Sequence, residues 1–333
     1  MAAHDADAFP APRTSARADL YVTLRAADAP DSLSPLPPAL RDAARRLQSL
    51  TEFLPDSLAL RTPENTVLIM YRKNPRHRAH VERLLWRRLD PALASLGESD
   101  DLPRVLDRLA SDLSPLCGPR ADSIRVGLSK LLASALPVFR NTLWPARERA
   151  NLAFAESVRS GPSGEGRGVL SGLSRTLAMP LPDTTKFRML VLSGRPPERI
   201  PPVRTEDGSA VLLACSDGPL DPDGWIELLR EYLGIAEALS PGNAETAPRI
   251  LGGALSEMGA PPDLRARISG AFLDYAIAKT LETALGWGRT RPLADGSPYA
   301  DVLRKNWNAY LAGGISLDTA CRAIASEAGG PRN

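Results

Sequence analysis

Leu40, Ala43, Leu47, Leu50 and Leu54 recur three and four residues apart behind Pro37 and Pro38, and Pro55 follows the last of them. Side chains at that spacing share one side of an α-helix, so the pattern predicts an amphipathic helix with a single buried stripe. The same period returns in Ile124, Leu128, Leu131, Leu132 and Leu136, and again in Trp225, Leu228, Leu229, Tyr232 and Leu233. It runs longest through Leu264, Ile268, Ala271, Phe272, Tyr275, Ala276, Leu281 and Leu285. Weaker periodic stretches predict helices over 102–113, 138–158 with an interruption at Pro145, 247–258, 298–311 and 316–328. Asn74-Pro75 and Asp221-Pro222 read as helix starts. In each, a side-chain oxygen can accept a first-turn N–H, and the proline falls where its missing N–H costs nothing.

Three short apolar runs depart from this texture. Phe187–Leu192 and Ala210–Cys215 flank a proline-rich stretch and are bounded by turn residues. They fit two strands of a small antiparallel sheet around residues 186–216. Thr66–Tyr71 is β-branched enough for a strand, but Thr62-Pro63-Glu64 in front of it has the form of a helix start, which tips the reading to helix.

Residues 1–34 are mostly Ala, Asp, Pro and Ser around one apolar patch, Leu20–Leu24, and read as a largely disordered N-terminus. Ser160–Gly172 holds five glycines, and a linker or surface loop is expected over 160–176. The expected fold is therefore mainly α, an irregular helical bundle in two lobes. The lobes would be 35–159 and 177–330, the second carrying the small β element. No repeat of fixed period is present.

Composition sharpens this picture in three places. Aromatic residues are only 5% of the chain, so leucine, alanine, valine and isoleucine must fill the core. The 41 basic and 39 acidic residues leave a formal charge of +2, which argues against a chain-wide nucleic-acid surface but leaves room for a local basic face. Cys117, Cys215 and Cys321 are few, odd in number and far apart. That predicts no disulfide framework and a reducing setting, the cytoplasm or another intracellular compartment. No apolar run approaches the ~20 residues of a membrane span, and the first residues lack the apolar centre of a secretory signal.

Candidate chemistry concentrates in Lys73–Leu89, which holds two of the three histidines and six basic side chains. On a helix, Val81, Leu84, Leu85 and Leu89 share one side, while Arg76, His80, Arg83 and Arg87 form a stripe opposite, with Trp86 on a flank. His77 and His80 diverge, and no third ligand converges on them, so no metal is expected. The ordinary use of such a stripe is a solvated helix face. As a site, Arg76, His80, Arg83, Trp86 and Arg87 would bind phosphates, a nucleic-acid backbone or an acidic protein partner.

Elsewhere the parts of a catalytic or cofactor site are missing. The glycines at 164, 166 and 168 follow no strand, and no Lys-Ser or Lys-Thr pair comes after them, so they do not make a phosphate loop. Asp217–Trp225 puts Pro219 and Arg230 where a calcium loop needs carboxylates. There is no Gly-x-Ser-x-Gly elbow. Glu227 and Glu231 read as surface charges on one helix. Carboxylates can still converge from distant parts of a fold, so these absences lean against catalysis without excluding it. Arg291–Ile324 resembles the last segment of bacterial solute-binding proteins of sugar transporters, with an Arg-Pro, a helix, a Gly-Ile-Ser turn and an Ala-rich helix. The resemblance covers roughly a tenth of the chain and carries no function with it.

Many short amphipathic helices and one basic stripe point to a non-enzymatic intracellular protein-interaction, regulatory or scaffold protein. The alternatives are nucleic-acid binding through the helix face around 76–88, and a self-assembling helical coat or nucleocapsid-like protein. No cofactor is expected.

Overall fold

The helical periods are realised as helices, and the fold is mainly α. The computed structural model describes residues 11–27, 36–61, 67–97, 100–160, 168–180, 187–193, 203–204, 210–216, 219–239, 242, 245–285 and 299–329. Its contacts group into two compact units. One combines Ala11–Glu156 with Arg188–Pro219, so the strand-forming segment expected in the C-terminal lobe groups with the N-terminal helices. The other combines Ser157–Phe187 with Leu220–Asn333.

The N-terminal unit begins with strand β1 (Pro12–Thr14) and helix α1 (Ala16–Ala26), where the sequence suggested a disordered start. Nine of the eleven residues of α1 are buried, Asp19, Thr23 and Arg25 among them. A helix buried all round has no polar face, so its periodicity gave no signal. Its polar residues resemble a solvated loop until their partners are known. Ser15 caps α1, its Oγ accepting from the Ala18 N–H at 3.3 Å and donating to the Leu96 carbonyl at 2.7 Å.

Around α1 lie α2 (Pro38–Ser49, continuing as a 3-10 turn to Phe53), α3 (Pro75–Ala94) and α5 (Arg120–Thr142), with α4 (Leu102–Cys117) against α3 and α5. The stripe of α2 and its turn is buried as expected, from Leu40 through Ala43, Leu47 and Leu50 to Leu54. Helix α5 runs through Pro137, and the break falls at Leu143, before α6 (Trp144–Ser160). Pro145 thus sits in the first turn of a helix rather than interrupting one.

Two buried polar clusters fasten α1. Asp90 on α3 accepts from the Tyr21 hydroxyl at 2.6 Å and from Arg25 Nε at 2.9 Å. Burial and the Asp90 carboxylate together push the Tyr21 hydroxyl well above its ordinary range. Asp19, fully buried, accepts from Arg147 Nη1 at 3.2 Å, Asn151 Nδ2 at 3.1 Å and the Ser193 N–H at 3.2 Å.

The expected strands are present as β4 (Phe187–Leu192) and β6 (Ala210–Cys215), with β5 (Val203–Arg204) antiparallel to β6. Strand β1 joins them in parallel with β4, giving the order β1-β4-β6-β5. Of the run 66–71, read as helix, the described residues form instead strand β3 (Val67–Tyr71), antiparallel to β2 (Ser57–Arg61). Pairing with β2 decided the matter, since a run this short carries no period of its own. The helix-start signal at 62–64 lies outside the described residues.

In the C-terminal unit, α10 (Pro262–Leu285) packs against α7 (Val169–Leu177), α8 (Pro222–Leu239), α9 (Ala247–Glu257), α11 (Ala300–Leu311) and α12 (Leu317–Gly329). Helix α7 occupies part of the stretch expected as a linker. Val169, Leu170, Leu173 and Leu177 form a buried stripe there, while residues 161–167 lie outside the described residues. A Cβ on Gly172 would come 3.1 Å from the Thr280 methyl, so glycine lets α7 approach α10 closely. Asp221 caps α8, accepting from the Gly224 N–H at 2.7 Å. Trp307 is fully buried, edge-on to Phe272 with ring centres 4.7 Å apart. Gly313, at φ +75°, ends the turn after α11, and Ser316 Oγ accepts from the Thr319 N–H at 3.1 Å to start α12. All three cysteines are free thiols.

Two predictions follow from this packing. Asp90→Ala strands the buried Arg25 guanidinium and is expected to cost about 3–5 kcal/mol in urea unfolding. Tyr21→Phe, which leaves the ion pair in place, is expected to cost about 1 kcal/mol. The second concerns alkaline pH. Burial raises the Cys321 thiol from 9.0 to about 12. A raised folded value means the contribution is complete below pH 9 and is lost between pH 9 and 12, as the unfolded chain ionises and the folded one does not. Stability should therefore decline by up to about 1.4 kcal/mol per pH unit in that window from this group, and Cys321→Ala should flatten the decline measured by denaturant titration between pH 9 and 10.

Candidate functional site

The β2–β3 register pairs Ser57 with Tyr71, Leu58 with Met70 and Ala59 with Ile69. Alternation along a strand then puts Val67, Ile69 and Tyr71 on one face and Leu68 and Met70 on the other. Leu58 and Met70 pack on the core of the N-terminal unit. The opposite face does not: Val67 is 53% exposed, Ile69 53% and Tyr71 52%. Leu68, on the inner face but nearer the hairpin end, is also exposed.

Among the described residues the edge of β3 is open as well, because the two-stranded sheet contains β2 and β3 alone. The Arg72 N–H donates to the Asp56 carbonyl at 2.9 Å. In an antiparallel ladder, bonded and non-bonded pairs alternate, so residues 68, 70 and 72 turn their amides to β2 while 67, 69 and 71 turn theirs outward. Of these outward amides, that of Tyr71 donates to His77 Nδ1 at 3.2 Å. No hydrogen bond is made by the Val67 or Ile69 amide among the described residues. The histidine considered as a metal ligand is thus a plug at one end of a strand edge.

Three residues later α3 begins. Asn74 caps it as the sequence predicted, its Oδ1 accepting from the Arg76 N–H at 3.0 Å. The helix buries Val81, Leu85 and Leu89 completely, which sets the other side outward. Arg76, His80, Arg83 and Arg87 are all exposed there. Arg78 pairs with Glu82 at 2.8 Å, and Arg88 donates to the Asp112 carbonyl.

Trp86 does not join this stripe. It is 7% exposed, and the Arg25 guanidinium lies 4.0 Å above its ring. A helical wheel puts Trp86 on a flank, but α1 covers that flank, so the indole meets neither a nucleobase nor a partner.

Between Tyr71 and Leu89 the chain carries seven lysine and arginine side chains and one acid, Glu82. Asp56 is drawn into the same neighbourhood. Its carboxyl is held below the usual carboxylate range by the hydrogen bond from Arg72, at 3.1 Å, and by the charge of Lys73. The site is therefore an apolar strand face and an open edge, followed at once by a basic helix face.

Among the described residues no group of three or more His, Cys, Asp and Glu side chains is placed to hold a metal ion. No helix described is long and apolar enough to cross a membrane. Arg230, on α8 with Glu227 and Glu231, reaches Asp274 on α10 at 2.5 Å. Compared with known proteins, the chain matches no family model, no curated protein and no solved structure.

The stripe and the buried side of α3 should separate cleanly in mutagenesis. Reversing Arg76, Arg83 and Arg87 to Glu is expected to leave the urea midpoint almost unchanged, because exposed side chains contribute little to folding. Leu85→Ala opens a cavity in the core and should cost about 2–5 kcal/mol.

Proposed function

We propose that this protein acts by binding another protein, in a regulatory or scaffold capacity, and that the partner docks on the outer face of β3 beside the basic face of α3. The observation that carries this reading is the row Val67, Ile69 and Tyr71, each about half exposed on one strand face. Contiguous apolar surface on a folded protein marks an interaction site more often than chance. Covering the exposed half of each side chain would contribute about 1 kcal/mol. The adjacent arginines favour an acidic partner, speeding encounter and rejecting basic competitors.

Nucleic-acid binding would use the same arginines. It gains nothing from Val67 and Ile69, which cannot stack on bases, and with Trp86 covered Tyr71 is the one exposed tyrosine or tryptophan ring of the row and the helix. Self-assembly that used this face on both copies would bring two basic stretches together.

Affinity purification from the source cells with three versions of the protein tests the proposal. The wild type should retain a protein, and the eluate should absorb at 260 and 280 nm as protein alone. The partner should be lost both when Val67, Ile69 and Tyr71 are changed to Ser and when Arg76, Arg83 and Arg87 are changed to Glu. It should also wash off with rising salt. Nucleic acid in the eluate, or a partner indifferent to both variants, overturns the reading.

A further inference from the structure

The open edge of β3 says how such a partner would be held. We propose that the partner contributes an extended acidic segment that adds to the Val67 edge of β3 as a third strand. This rests on the docking surface proposed above and goes beyond it. The Val67 and Ile69 amides point away from β2 and have no partner among the described residues. An added strand would satisfy them with its carbonyls and continue the sheet. Its alternate side chains would fall in line with Val67, Ile69 and Tyr71, covering the exposed apolar row. The His77 imidazole already occupies the Tyr71 amide, so pairing ends there.

Charge selects among occupants. Seven basic side chains and one acid follow β3 directly, so an acidic strand is attracted. A second copy of this chain would offer its own Val67–Tyr71, an uncharged run that draws nothing from those basic side chains. The residues joining β2 to β3, Thr62-Pro63-Glu64-Asn65-Thr66, are polar and include an acid, which is poor material for insertion into an anionic membrane.

The probe is a seven-residue peptide of alternating glutamate and valine with blocked ends, added to the full-length protein. It should bind, and more weakly as salt rises. Amide hydrogen exchange read by NMR should slow at Val67 and Ile69, while Leu68 and Met70, already bonded to β2, should not change. The same peptide N-methylated at its valines, whose amides face β3 when their side chains cover the apolar row, should not bind, nor should its lysine counterpart. Ile69→Pro removes an edge donor but no bond of the β2–β3 ladder. It should weaken binding about tenfold, the equivalent of roughly 1.4 kcal/mol for one hydrogen bond. The N-methylated peptide removes the facing donors of the added strand instead, without altering the protein, so the test survives if Ile69→Pro folds poorly.

Failure to bind, or equal binding of the N-methylated peptide, overturns strand addition. Binding without protection at Val67 and Ile69 does so too. A dimer in which these two amides are protected before peptide is added overturns it in favour of self-pairing. None of these results touches the docking reading, which stands or falls on whether the natural partner survives the Ser and Glu variants.

Discussion

Two buried carboxylates hold the N-terminal unit in register. Asp19 and Asp90 each sit among apolar side chains, and each is satisfied by specific donors: Arg147, Asn151 and the Ser193 amide for one, Tyr21 and Arg25 for the other. A buried charge left without its partner costs about 3–5 kcal/mol, which disfavours arrangements with α1 shifted or rotated. Apolar packing alone would tolerate such slippage, because one leucine contact resembles the next. The polar clusters thus tie α1 to α3, to α6 and to the end of β4 at fixed points.

The exposed surface follows from that constraint. Arg25, held by Asp90, lies over Trp86 and keeps that side of α3 turned inward. With Val81, Leu85 and Leu89 also buried, Arg76, His80, Arg83 and Arg87 have only the outside left to them. The cap at Asn74 and the bond from the Tyr71 amide to His77 fix where β3 stops and α3 starts. The apolar strand and the basic helix are therefore neighbours by construction. Their contrast, half-exposed Val67, Ile69 and Tyr71 beside a run of arginines, is a surface feature that the packing of the described residues does not account for.

How much of this could be read from residues alone varied with the element. The helices with one apolar stripe were legible: α2 from its leucines, α8 from Asp221-Pro222 and the Trp225 to Leu233 set, α10 from its long period. Their burial depends only on spacing. Helix α1 was not legible, because a fully buried helix has no stripe and its Asp19, Thr23 and Arg25 look like surface residues. In the candidate site, the stripe Arg76, His80, Arg83 and Arg87 was placed correctly from helical spacing. Trp86 was not, since what lies above a flank position belongs to another part of the chain. The outer face of β3 was missed altogether, for it exists only once β2 is known to pair with it.

By itself the sequence determined the local periodic elements, the caps at Asn74 and Asp221, and a basic stripe opposite an apolar one. Each follows from interactions within a few residues, where spacing is geometry. Tertiary structure alone decided that Val67–Tyr71 is a strand, that α1 is core, that Trp86 is covered and that the β3 edge is left open among the described residues. Those outcomes depend on partners far away in the chain, and a hydrogen bond such as Tyr21 to Asp90 leaves no trace in the residues near either end.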